Sequence, residues 1–200
     1  MDLETAAGLL TQWLEENAPG DHGKLNPPAS QGEIDSISEN RFDLHPDLRK
    51  WLTMHNGVRA GRAFVGSGGF IPGGYFLLDA KSMCNGQRSM ETAVAWSLED
   101  DNVDFVVGGV AHVKWVPIAG THVGSQLIVD HRDGPNFGAV LEVDADIELW
   151  GVKRWDSMTE MFTSTYQSLS SGTPVRDAVG QDIEANFIGD SDGMRHIDWS

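Results

Sequence analysis

Residues 25–57 encode two capped helices in close succession, and this stretch constrains the fold more than any other part of the sequence. Ser30 is followed three residues later by Glu33, which is the capping-box spacing. In a capping box each of the two side chains satisfies a backbone N–H group that the first helical turn leaves unpaired. Pro27 and Pro28 exclude an earlier start, because proline lacks an N–H donor and restricts the residue before it. The sequence therefore predicts a helix that begins at Ser30.

The second helix of this stretch is expected to begin at Pro46. Apolar and aromatic side chains then recur on one face at helical spacing. These side chains belong to Leu48, Trp51, Leu52 and His55. Asn56-Gly57 follows, and glycine commonly provides the left-handed residue that ends a helix. We therefore expect Trp51 to be buried and Gly57 to cap the helix.

Two further helices are predicted outside this stretch. Residues 3–17 have an amphipathic helical pattern that stops at Pro19-Gly20. Ser157 and Glu160 repeat the capping-box spacing, and the helix they start is expected to bury Phe162 and to end at Gly172. A third pattern, from residue 79 toward 90, is ambiguous, because the Asn85-Gly86 pair leaves open whether it forms one helix or two.

Runs of β-branched and aromatic residues, separated by glycine, aspartate and proline, predict a set of short strands. These runs are residues 103–107, 113–118, 127–129, 139–143 and 149–155. Trp115 and Pro117 are expected to be structural positions in the second run. Asp133-Gly134 is a hairpin signal between the third and fourth runs, since both residues tolerate the positive φ of a tight turn. The sheet should therefore be antiparallel there.

These elements predict a single α+β domain, in which N-terminal helices pack against one face of a mainly antiparallel sheet and the helix at 157–169 closes the fold. The 200 residues suit one domain with one sizeable core. We divide the chain into an N-terminal amphipathic helix (1–24), a main domain (25–172) and an acidic C-terminal tail (173–200). The pattern does not decide whether the tail is ordered.

The order of these motifs resembles the SUKH superfamily, which includes fungal cell-wall synthesis regulators and many bacterial toxin-immunity proteins. The similar segments are the helix pair ending in His55-Asn56-Gly57, Trp115 to Ala119, Asp130 to Gly138, Ala139 to Asp144, and Ser157 to Leu169. The resemblance covers residues 25–170. Residues 97–111 and the tail after Gly172 have no counterpart in it. It implies a binding module, commonly an immunity protein that occludes a toxin domain, often a nuclease.

The net charge of −16 disfavours nucleic acid and anionic membranes as partners and favours a basic protein. The densest acidic run contains Glu99, Asp100, Asp101 and Asp104, and we predict it to be a docking edge for lysines and arginines. Asp130, Asp133 and Trp199 are further candidate contact residues. The alternative is that these acids form an ordinary solvated surface.

No constellation in the sequence predicts catalysis, a cofactor or a metal. His112, His122 and His131 lie in the strand region, but strand alternation gives no reason for them to converge on a metal. Asp130, His131 and Asp133 are expected at a solvated hairpin tip, where acid–base catalysis is disfavoured. Cys84 is the sole cysteine, with no histidine near it in sequence to activate it.

The sequence therefore predicts a non-enzymatic protein-binding module. The single cysteine, the acidic N-terminus and the absence of a long apolar run lead us to expect a cytoplasmic protein without a membrane helix. With the resemblance, the predicted role is an immunity protein that neutralises a toxin domain, such as a basic nuclease. The alternative is an intracellular regulatory or scaffold protein related to the cell-wall synthesis regulators.

Overall fold

A computed structural model describes residues 1–39, 41–59, 68–99, 106–144, 149–189 and 192–200. The helices of these residues are α1 (Leu3–Asn17), α2 (Pro19–His22), α3 (Gln31–Ser38), α4 (Pro46–Met54), α5 (Ala80–Glu99) and α6 (Met158–Ser171). The strands are β1 (Phe76–Leu77), β2 (Trp115–Gly120), β3 (Gln126–Asp130), β4 (Val140–Asp144), β5 (Leu149–Trp155), β6 (Val175–Arg176), β7 (Asp182–Ile183), β8 (Ala185–Gly189) and β9 (Arg195–Trp199).

The strands β1 to β5 form one antiparallel sheet in chain order, which confirms the predicted α+β class. Strand β2 begins at Trp115, two residues later than predicted, because residues 112–114 make a turn in which Lys114 N donates to His112 Nδ1 at 3.0 Å. Most of the strand predicted at 103–107 lies outside the described residues. At its end, Val107 makes an isolated bridge to Ala111.

Both faces of this sheet are covered, whereas the sequence predicted helices on one face. Side chains such as Val116 and Val129 join the main core, which α1, α4 and α6 also fill. The alternate side chains, including Trp115 and Ile128, form a second cluster with Met90 of α5. Because successive side chains of a strand point to opposite faces, this division follows from the pleat of the sheet. Pro117 lies in β2 as predicted, opposite Ile128.

The helix starts are largely as predicted. Ser30 and Glu33 form a complete capping box at α3. At α6, the Ser157 hydroxyl accepts from Glu160 N, but the Glu160 carboxylate accepts from the backbone of Asp156 rather than from Ser157. The second capping box is therefore incomplete. Helix α6 buries Phe162 and ends at Gly172 with φ of 68°, both as predicted.

The prediction that Gly57 caps α4 is wrong. The helix ends at Met54, and its C-terminal cap, His55, is extended. Gly57 does have a positive φ of 63°, but its role is packing, since a Cβ atom there would lie 2.2 Å from the Leu78 carbonyl oxygen. The glycine is required by a close approach of two backbone segments.

Helix α5 is continuous through Asn85 and Gly86. Gly86 lies against the side chain of Pro117, where a Cβ atom would come within 3.0 Å of the proline ring. Gly86 thus allows the helix to approach β2 closely rather than breaking the helix. The C-terminal tail is ordered as two hairpins, β6–β7 and β8–β9. Among the described residues, no helix is both long enough and apolar enough to cross a bilayer.

Candidate functional site

A cleft of about 320 Å³ lies between the sheet and the two C-terminal hairpins. Its polar and aromatic lining comes from six parts of the chain, one of which is the β2–β3 connection with Thr121, His122 and Ser125. Tyr75 precedes β1, Glu142 and Asp144 belong to β4, and Arg154 belongs to β5. The hairpins contribute Asp177, Asp198 and Trp199.

The floor of the cleft is a buried network of side chains that bind one another. The Tyr75 hydroxyl donates to Glu142 Oε1 at 2.7 Å, and Arg154 Nη1 forms an ion pair with Glu142 Oε2. Burial, followed by the charge of Glu142, raises the pKa of Tyr75 far above its usual value, so the phenol stays protonated. The positive and negative charges of the floor cancel, and the floor carries no net charge.

A β-bulge directs Arg154 into this network. Lys153 pairs with Leu141 and Trp155 pairs with Val140, which leaves Arg154 as an extra residue between them. Such a bulge turns a side chain away from the face of the sheet that regular strand alternation would give it. Arg154 Nη2 also donates to the Arg176 carbonyl oxygen at 3.0 Å, which ties the β6–β7 hairpin to the sheet.

The rim of the cleft carries three carboxylates. Asp144 Oδ2 accepts from the Ser125 hydroxyl at 2.5 Å. Asp177 Oδ1 accepts from the backbone N–H groups of Val179 and Gln181, and Asp198 is exposed on β9. Within the described part of the chain, neither Asp177 nor Asp198 takes part in an ion pair.

Trp199 forms one wall of the cleft. Its indole Nε1 donates to the Phe70 carbonyl oxygen at 3.3 Å, which fixes the orientation of the ring. The side chain is half-buried against the main core. Strand β9 pairs with β8, and this pairing lays the indole on the body of the protein.

Most basic side chains are already neutralised elsewhere. Within the described part of the chain, nine lysines and arginines form intramolecular ion pairs with aspartate or glutamate. Of these nine pairs, the one between Arg154 and Glu142 belongs to the cleft. The uncompensated negative charge of the described residues thus includes Asp177 and Asp198, which form no ion pair with a lysine or arginine there.

Only one of the four residues of the predicted docking edge lies within the described part of the chain. Glu99 is exposed at the end of α5, whereas Asp100, Asp101 and Asp104 lie outside the described residues. Two large apolar side chains lie beside Glu99, with Trp96 67% and Leu98 68% exposed.

Asp130 and Asp133, the other acidic residues predicted to contact a partner, do not line the cleft. Asp133 is exposed and its carboxylate binds Lys114 Nζ at 2.8 Å. Asp130 is fully buried, and its carboxylate accepts from the backbone and the guanidinium of Arg132. The prediction of Asp130 as a contact residue is therefore wrong. It belongs to the base of the hairpin, where Gly138 N donates to its carbonyl oxygen at 2.7 Å, and not to the tip.

The histidines of the strand region serve separate structural roles. His112 accepts from Lys114 N, His122 stacks on Phe76 with ring centroids 5.2 Å apart, and His131 is buried with Nδ1 3.1 Å from the Val129 carbonyl oxygen. The expectation of a solvated His131 is therefore wrong. In the described ranges, no three His, Cys, Asp or Glu side chains are placed to hold one metal ion.

Sequence reasoning missed the residues that build the cleft. No sequence pattern links the four residues Tyr75, Arg154, Asp177 and Asp198. One signal was available, because Glu142 and Asp144 interrupt an apolar strand at a spacing of two and must share a face. Trp96 was also missed.

Comparisons with known proteins give no relative: the sequence matches no protein-family model and no curated protein sequence.

Proposed function

We propose that this chain is a non-enzymatic, cytoplasmic protein-binding module that binds a basic protein at the acidic cleft beside its C-terminal hairpins. The observation that carries the proposal is the pair of uncompensated carboxylates, Asp177 and Asp198, at the rim of a concave site walled by Trp199. Concave sites with a few convergent polar groups are where proteins usually bind small chemical groups. Acidic rims steer basic partners and raise their association rate.

The motif order that resembles the SUKH superfamily supports a more specific role, an immunity protein. A toxin nuclease is commonly basic because it binds phosphate. A chain of net charge −16 that occludes such a domain would gain electrostatic steering toward it. In this role the chain blocks the toxin by covering its surface and needs no catalytic group of its own.

The test is a matched pair of charge variants measured against a captured partner. Asp177→Asn/Asp198→Asn removes the two rim charges. The control, Glu4→Gln/Asp156→Asn, removes two charges from exposed acids that already pair with Lys50 and Lys153. A partner captured from the native lysate should be basic, and its association with the wild-type chain should slow as salt rises. The rim variant should slow association several-fold more than the control, since rim charges act mainly on encounter.

An acidic partner, or an association rate that ignores both salt and the rim variant, contradicts the proposal. A Ser substitution of Glu99, Asp100, Asp101 and Asp104 locates the contact: if only this variant slows association, docking lies at the end of α5 beside Trp96 and Leu98. Loss of a nuclease or other toxic activity on binding favours the immunity role. An intact partner activity favours the regulatory or scaffold alternative.

A further inference from the structure

We infer that the cleft is a receptor for a single arginine side chain of the partner, with the guanidinium group between the rim carboxylates and against the indole of Trp199. This inference rests on the proposed function and specifies the ligand of the same site. It is carried by the size of the cleft, the carboxylates that line its rim and the fixed aromatic wall.

The carboxylates are arranged for an organic cation and not for a metal ion. A bound metal requires oxygen ligands that converge to about 2.0–2.6 Å from one point. Among the described residues no such group of three exists, although four carboxylates line the cleft, Glu142 in its floor and Asp144, Asp177 and Asp198 at its rim. They come from β4, from the turn after β6 and from β9, so they surround a volume of about 320 Å³. That volume lies at the small end of the range that accommodates organic ligands.

Guanidinium fits this arrangement better than ammonium does. It is planar and carries five N–H donors, so one group reaches two separate carboxylates and still lies flat on an aromatic ring. Asp198 and Trp199 are neighbours on β9 at the cleft, and the hydrogen bond to Phe70 holds the indole in place. A lysine supplies a point charge without the planar face, which weakens its match to an aromatic wall.

The floor of the cleft does not repel the incoming arginine, although it contains Arg154. The charge of Arg154 is compensated by Glu142, and its Nη2 is directed to the Arg176 carbonyl oxygen. The Tyr75 hydroxyl donates to Glu142. The incoming cation therefore meets a neutral floor and an acidic rim.

The test uses three capped amino acids as probes of the full chain: N-acetyl-arginine amide, its lysine counterpart and its citrulline counterpart. Citrulline keeps the shape of arginine and removes the charge. Binding is followed by the NMR signal of the Trp199 indole N–H, assigned with Trp199→Phe. We expect arginine to shift this signal saturably, with affinity at least about tenfold above that of citrulline and several-fold above that of lysine.

The rim variant Asp177→Asn/Asp198→Asn should weaken arginine binding about tenfold, which corresponds to two partly exposed charge contacts. The control variant Glu4→Gln/Asp156→Asn should leave it unchanged. Equal affinity for arginine and citrulline, equal affinity for lysine, or no shift at millimolar arginine overturns the inference. The proposed function survives that result if the rim variant still slows association of a basic partner, and it fails separately if no basic partner is bound.

Discussion

Asp21 and His196 are 175 positions apart in the chain, yet His196 Nδ1 lies 3.1 Å from Asp21 Oδ1 in a site where both side chains are almost completely buried. The other oxygen of Asp21 accepts from the backbone N–H of Ile197 at 2.7 Å. Gly20 lies against the imidazole, where a Cβ atom would come within 2.3 Å of Cε1. These contacts fix the β8–β9 hairpin on α2, and the hairpin carries Asp198 and Trp199. The geometry of the cleft therefore depends on a contact outside it.

Asp21→Asn should loosen this hairpin. Asparagine keeps one acceptor oxygen and puts N–H donors in place of the other, so the Ile197 N–H group and an imidazole protonated at Nδ1 cannot both keep an acceptor. A buried polar group without a partner costs about 1–3 kcal/mol. Urea unfolding should show a loss of that size, and hydrogen exchange of the Ile197 amide should accelerate.

The control for this substitution is Asp133→Asn, which changes an exposed carboxylate paired only with Lys114. Its effect should stay below about 0.5 kcal/mol. Equal unfolding free energies for the two variants would show that the buried contact contributes nothing measurable. Loss of stability without faster exchange at Ile197 would place the effect elsewhere.

Gly57→Ala should destabilise the protein more than Gly172→Ala does. Both glycines have similar positive φ values, 63° and 68°, so both substitutions incur the same backbone strain of about 1–2 kcal/mol. At Gly172 no other atom lies within 4 Å of the new Cβ, whereas at Gly57 it would be 2.2 Å from the Leu78 carbonyl oxygen. Thermal and urea unfolding of the two variants measures the clash separately from the strain. Equal losses would mean that the loop relaxes around Gly57 at no cost.

The helices were largely predictable because their signals are local. A capping box at Ser30, a proline at position 46 and an apolar stripe through Trp51 each act within a few residues, and their physics does not depend on the rest of the chain. The error at Gly57 has a non-local cause. The residue needs a positive φ, as the sequence indicated, but the reason is a contact with residue 78 and not the end of a helix.

The cleft was not predictable for the same reason. Its central ion pair depends on a bulge that places Arg154 out of alternation, and no periodicity in the sequence reveals an extra residue in one strand. Its wall depends on a tail whose hairpins have short, partly exposed strands without an apolar period. What orders the tail is a pair of buried polar residues, Asp21 and His196, that no sequence pattern connects.

Trp51→Ala should cost about 3–5 kcal/mol, because it leaves a cavity in the main core. Trp51 is fully buried and its ring centroid lies 4.9 Å from that of Phe162. Trp96→Ala is the matched control, since it removes the same side chain from an exposed position at the end of α5. Urea unfolding should place the control within about 0.5 kcal/mol of the wild type. A loss below about 1 kcal/mol at Trp51 would contradict its central place in the core.

His131 should make the protein less stable in acid. Burial, the largest cause, and the nearby His45 together lower the pKa of His131 to about 4, against the hydrogen bond with the Val129 carbonyl. Among the described residues, the buried Nε2 has no hydrogen-bond partner that could favour a proton there.

The direction of the effect follows from proton binding in the two states. The unfolded chain takes up the proton near the ordinary histidine pKa of about 6.5, whereas the folded chain resists protonation until about pH 4. The contribution of His131 is therefore fully present above about pH 6.5 and is lost as the pH falls toward 4. A pKa difference of this size corresponds to about 3 kcal/mol across the window.

The measurement is the free energy of unfolding in urea at a series of pH values for the wild type, His131→Gln and His122→Gln. Other groups also titrate in this window, so the difference between curves isolates His131. The His131→Gln curve should fall less steeply between pH 6.5 and 4, whatever its stability at neutral pH. The exposed His122→Gln should follow the wild type. Parallel curves for all three proteins would show that His131 takes up its proton equally in the folded and unfolded states, and that the packing of Phe42 and Phe137 around it does not exclude the charge.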